Sequence, residues 1–109
     1  MSLDLFREII DTYQRHGWQL RQALLRPDTR AELVEQSDLL KSVSIQDDTF
    51  DALWFARDSH QGREAWELRL VAEQQYALFE AFEADEAEED RAEVRLEMEN
   101  RMRAQVTPT

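Results

Sequence analysis

Phe50-Asp51-Ala52-Leu53-Trp54-Phe55-Ala56-Arg57, then Asp58-Ser59-His60-Gln61-Gly62-Arg63, then Glu64-Ala65-Trp66-Glu67-Leu68-Arg69-Leu70: these three blocks decide the fold. The first is apolar and aromatic-rich, a composition that suits a pleated, buried strand. The second is turn chemistry, with Asp and Ser able to bond their own backbone and Gly free to turn left-handed. The third alternates strictly, with Trp66, Leu68 and Leu70 on one face. Together they read as a β-hairpin. Closing the turn between Asp58 and Arg63 predicts Arg57 opposite Glu64, Phe55 opposite Trp66 and Leu53 opposite Leu68. That register matches opposite charges and aromatic or apolar partners.

The register sorts side chains into two faces. Leu53, Phe55, Trp66, Leu68 and Leu70 fall on one and supply an ample core. Phe50, Ala52, Trp54, Ala56 and Ala65 fall on the other, with Glu67 and Arg69 further along. A one-sided antiparallel sheet would be polar there. Three coverings fit this second apolar face: a helix of the same chain, a second copy or partner, or a small molecule. An interface at Phe50, Ala52, Trp54 and Ala56 is the expectation, because contiguous apolar patches mark contacts and Trp concentrates at interface centres.

Towards the N-terminus, Phe6, Ile9, Ile10 and Tyr13 make an apolar helical stripe from Leu3 to about His16, and Gly17 stands where a left-handed residue ends a helix. Residues 18–25 fit either period. A strand is preferred, because an interior Gly costs a helix about 1 kcal/mol and is a natural stop. Pro27 ends that piece. Asp28 or Thr29 is expected to cap a short helix over Arg30–Glu35. Residues 36–49 sustain no period and read as a connector loop.

Towards the C-terminus, residues 72–75 read as a turn and 76–82 as a third meander strand. Asp85 has the capping-box spacing to Glu88. A helix follows to about Gln105, with a narrow stripe of Ala87, Val94, Met98 and Met102. Glu97 with Arg101 and Glu99 with Arg103 are spaced as supportive pairs. The fold expected is α+β: an N-terminal helix, a three- to four-stranded antiparallel meander sheet and a C-terminal helix. It forms one domain over residues 1–105, with 106–109 a tail.

Composition limits the chemistry. The 109 residues carry 24 acids against 13 bases, a formal charge of −11, with no Cys and two Gly. Without Cys there are no disulfides, thiolate metal sites or cysteine nucleophiles. Two distant glycines cannot build a phosphate-cradling loop. The strong negative charge disfavours nucleic acid. No run is long and apolar enough to span a membrane, and the N-terminus does not read as a secretory signal, so a cytoplasmic address is expected.

Residues 80–90 hold seven acids and no base. Carboxylates in that density suit a hard cation, but acids at a helix N-terminus are equally stabilised by the helix dipole, and no calcium-loop pattern accompanies them. Neither a metal nor any other cofactor is expected. His60 stands in the turn beside Asp58 and Ser59; neighbours in a tight turn cannot form a nucleophile, base and orienter. His16 suits a helix C-terminus. Arg21, Arg57, Arg63 and Arg69 converge on an anion only if their strands are neighbours; pairing with Glu64, Glu67 and Glu80 is the simpler use. No catalytic residue is assigned. The function expected is a small acidic interaction module, homodimeric through its apolar sheet face and able to bind a protein partner. The alternative is a small-ligand domain or enzyme with a pocket between sheet and helices, using Arg57 and Arg69 with Glu67 as acid or base.

Overall fold

The computed structural model describes residues 3–36 and 38–106. Its first helix, α1 (Leu3–Arg15), buries the expected stripe of Phe6, Ile9 and Ile10. Gly17 closes it at φ +85°, and the amide of Trp18 returns to the carbonyl of Tyr13 at 3.0 Å. A left-handed residue there reverses the chain, so β1 (Gln19–Leu25) follows at once. The helix α2 (Pro27–Gln36) opens on its proline. Pro fits a first helical position, where an amide would be unpaired anyway. Asp28 and Thr29 therefore lie inside the first turn instead of capping a later helix.

The anticipated three- to four-stranded antiparallel meander is corrected to a five-stranded mixed sheet in the order β2-β1-β3-β4-β5. The added strand is β2 (Ser44–Asp47), within the stretch expected to be a connector; it pairs parallel to β1, with Ala23 opposite Ile45. Parallel neighbours need a long crossover, and α2 provides it. The remaining strands, β3 (Ala52–Asp58), β4 (Glu64–Leu70) and β5 (Ala77–Phe82), form the antiparallel part together with β1, which pairs antiparallel with β3.

The hairpin differs from expectation by one residue. Asp58 pairs with Glu64, Ala56 with Trp66, Trp54 with Leu68 and Leu53 with Arg69. The turn holds an extra residue because His60–Gly62 coil into a 3-10 turn, with Gln61 at φ +60° and Gly62 at φ +75°. A one-residue slip exchanges every partner across the faces. Trp66, Leu68 and Leu70 thus share a face with Ala52, Trp54 and Ala56, and the Trp54 and Trp66 rings meet edge-on at 5.8 Å.

Helices cover both faces. The helix α3 (Glu88–Val106) lays Met98 and Met102 on Ala52, Trp54, Ala56, Leu68 and Phe82. It begins at Glu88, so Asp85 lies in the preceding turn and is not its cap. On the opposite face α1 and α2 pack Phe6, Ile9, Ile10 and Leu33 on Ala23, Leu25, Leu53 and Phe55. Asp48 receives two hydrogen bonds from Arg103 (2.7 and 3.0 Å), tying α3 to the loop after β2. The hydrogen bonds of Arg103 thus go to Asp48 and Asn100, while Glu99 acts on it through charge alone. Val106, read as tail, is the last residue of α3, and 107–109 lie outside the described residues. No helix among the described residues is long and apolar enough to cross a membrane.

Candidate functional site

Phe50, Ala52, Trp54 and Ala56, expected at an interface, are 4%, 0%, 1% and 4% exposed. Their covering is the chain's own α3. The Trp54 indole Nε1 donates to Glu99 Oε2 at 2.9 Å, and Glu99 is itself buried. A buried N–H needs such an acceptor. The interface assignment is therefore corrected: these four residues are core, and they offer a partner no surface.

The opposite face is different. There the buried core reaches Phe55 and Ala65 and goes no further. Tyr13 of α1 stacks on Phe55 at 4.1 Å, and its hydroxyl donates to Glu67. Burial, then the Glu67 carboxylate beside it, pushes the Tyr13 hydroxyl well above the usual tyrosine range. Beyond this pair the sheet is bare. By register Ala65, Glu67 and Arg69 on β4 stand opposite Ala81, Phe79 and Ala77 on β5. Ala77, Phe79 and Ala81 are all exposed, Phe79 by 57%. Half-buried Trp18 meets the Phe79 ring edge-on at 6.4 Å, and Arg57 lies over the same indole, 4.7 Å from its centroid. Aromatic ring, aliphatic neighbours and an open strand edge thus occur together on β5.

The residues named for a ligand share this side but do not assemble a pocket. Arg57 Nη1 donates to the His16 carbonyl at 3.0 Å, and Arg69 Nη1 to the Leu70 carbonyl at 2.7 Å. Glu67 is held by Tyr13. The cross-strand ion pairs with Glu67 and Glu80 are replaced by these bonds and by Arg63 to Glu83 at 3.1 Å.

A polar cleft of about 580 Å³ opens where β1 begins and β3 ends, lined in part by His16, Arg21, Arg57, Asp58, His60 and Glu64. It brings together both histidines of the chain, 44 positions apart (60 minus 16), which no sequence spacing foretold. His16 Nδ1 stands 2.8 Å from the Thr12 carbonyl and donates to it, since a carbonyl only accepts. Glu64 is engaged by the Trp66 indole and by Arg91. Glu67 and Arg69 are not among the lining residues.

The acidic run is spread over separate tasks. Glu80 lies on β5, Glu83 pairs with Arg63, Glu86 accepts from the Glu83 amide at 2.8 Å, and Glu88 pairs with Arg95 at 2.6 Å. Among the described residues no three histidine or carboxylate groups converge on one point. Phe79 is the residue that sequence reasoning passed over. Its signal was present in the alternation of Ala77, Phe79 and Ala81 against Leu78, Glu80 and Phe82, but alternation does not say which face a helix leaves bare. Set beside known proteins, the chain matches no family model, no curated sequence and no solved structure, so its own residues carry the functional reading.

Proposed function

We propose that this chain is a small acidic protein-interaction module of the cytosol that engages its partner through the helix-free half of its sheet at β5. One observation carries this reading: Phe79 stands 57% exposed on an edge strand, beside half-buried Trp18 and on the same face as exposed Ala77 and Ala81. Exposed aromatic surface of this kind mostly marks contacts, and an unpaired strand edge is a template for another strand. The test is face-specific capture. Immobilised wild-type chain retains a partner from an extract of its source cells; Phe79→Asp loses it, while Leu96→Asp, an equally exposed apolar position on α3, keeps it. Retention that ignores Phe79→Asp, or no retention at all, contradicts the proposal.

The polar cleft supports a second reading, a site for a small anion, because it gathers His16 and His60 with Arg21. A thermal-shift series with phosphate- and carboxylate-bearing metabolites tests it. A saturable rise for one class, abolished by Arg21→Gln with His60→Gln, supports a site; flat responses remove it.

A further inference from the structure

We infer that the occupant of the β5 edge is a second copy of this chain, paired antiparallel with Phe79 of each copy on the two-fold axis. This rests on the reading of the β5 half-face as an interaction surface and names its partner. The backbone already selects which groups are free. The Leu70 amide donates to the Tyr76 carbonyl at 2.9 Å, and the β4–β5 register, which sets Arg69 opposite Ala77, continued by one residue places those two opposite each other. In an antiparallel ladder such bonded pairs recur every second residue. Even-numbered residues of β5 therefore bond inward to β4, while Ala77, Phe79 and Ala81 turn their N–H and C=O groups to the open edge.

Symmetry and charge then select the register. A two-fold axis perpendicular to the sheet keeps each residue on its own face, so β5 meets its copy only in steps that pair like faces. Centring on Phe79 pairs residues 77 to 81 with 81 to 77. Phe79 meets Phe79, Ala77 meets Ala81, and Leu78 meets Glu80. No like charges oppose each other, and the outward N–H and C=O groups of 77, 79 and 81 all find partners. Centring one residue later sets Glu80 against Glu80, and directly opposed like charges destabilise a pair. Centring one residue earlier leaves only 77 to 79 of the strand in the ladder.

In this register the two Glu80 carboxylates stand diagonally, about 8 Å apart at Cα, instead of directly opposite each other. Glu80 is the only charged residue in β5. The acids from Glu83 onward lie at the far end of each strand. In the Phe79-centred pair, Glu83 of one copy stands about 27 Å along the strands from its counterpart, at ~3.4 Å per residue. That is well beyond the roughly 8 Å over which exposed charges act at physiological salt. Glu83 lies instead beside the uncharged Gln75 of the other copy. The joint face gains two Phe79 rings in contact, each backed by Trp18. A six-residue edge falls at the small end of specific interfaces, so association is expected in the micromolar range.

Because the chain contains no cysteine, a single introduced thiol reports the axis directly. In the inferred pair Cα79 lies about 5.5 Å from its counterpart, inside disulfide reach, and Cα80 lies about 8 Å from its own, outside it. Light scattering on the full chain, from about 5 to 500 µM, is expected to rise from 12.9 kDa towards twice that value. Phe79→Asp and Ala81→Pro, which removes one outward N–H and none of the bonds to β4, stay at the monomer mass with unchanged circular dichroism. Phe79→Cys cross-links at least tenfold faster than Glu80→Cys. A monomeric wild type overturns the second copy and leaves the interaction face to its own capture test. A dimer indifferent to Phe79→Asp overturns both readings. Faster cross-linking at residue 80 overturns the Phe79-centred pairing.

Discussion

Trp54 and Phe79 are both aromatic residues of the same sheet, two strands apart, and they have opposite fates. Trp54 lies at the centre of the sheet under Met98 and Met102, with even its N–H satisfied by Glu99. Phe79 lies on the edge, with no helix above it. The sheet is thus closed on both faces over Ala52 to Ala56 of β3 and open on one face at β5. The difference teaches that an apolar strand face marks a surface only once the helices have been assigned. A two-sided apolar strand at the centre of a sheet is a demand for a third layer. An aromatic ring that remains bare after three helices have packed is a residue spared from the core.

The contrast can be broken by substitution. Trp54→Ala should cost about 3–5 kcal/mol of stability, because a large ring leaves a cavity between β3 and α3. Phe79→Ala should stay within about 0.5 kcal/mol under dilute conditions, as exposed substitutions do. Urea melts on both variants read this directly. Similar losses at the two positions would mean that the two halves of the sheet do not differ.

Glu99→Ala should cost about 1–3 kcal/mol, since it strands the Trp54 N–H in the core. The loss should shrink when Trp54 is already Phe, which has no N–H to strand. A double-mutant cycle with no coupling would show that α3 covers Trp54 without bonding to it.

Asp48→Asn should cost about 1–2 kcal/mol at neutral pH, the scale of a charge-assisted bond. Burial alone would raise the Asp48 carboxyl, but Arg103, the Thr49 amide and Gln46 together outweigh it and hold it below the usual carboxylate range. A group held low in the folded state stabilises fully above its unfolded value, near 4, and less as pH falls through the folded value. The gap in stability between wild type and variant should therefore narrow below about pH 4. A gap that widens in acid would contradict the assigned partner. The smallest effect expected is Phe79→Asp on dilute-solution stability, within about 0.5 kcal/mol. Its consequence should appear in association alone.

Much of the scaffold was legible in local pattern. α1 announced itself by its stripe and by Gly17, and the strands of the central hairpin by aromatic content and alternation. What escaped depended on contacts between distant segments. The hairpin register turned on Gln61, a residue with no intrinsic preference for the left-handed region it occupies. β2 spans four residues, mostly exposed, and is specified by backbone pairing to β1 more than by any apolar period. The covering of Trp54 was hidden because the α3 stripe is narrow, and a stripe does not say which sheet face it will meet. The expected interface failed for that reason. The open edge at Phe79 emerges only by subtraction, after α1, α2 and α3 have been placed.

Amide hydrogen exchange along β5 tests the central claim most directly. In dilute solution the amides of Ala77, Phe79 and Ala81 should exchange freely, while those of Leu78 and Glu80, bonded to β4, are protected. Raising the protein concentration should protect the odd-numbered amides and leave the even-numbered ones as they were. Odd-numbered amides that stay fast at every concentration, or are already protected when dilute, would contradict an open edge that a second copy completes.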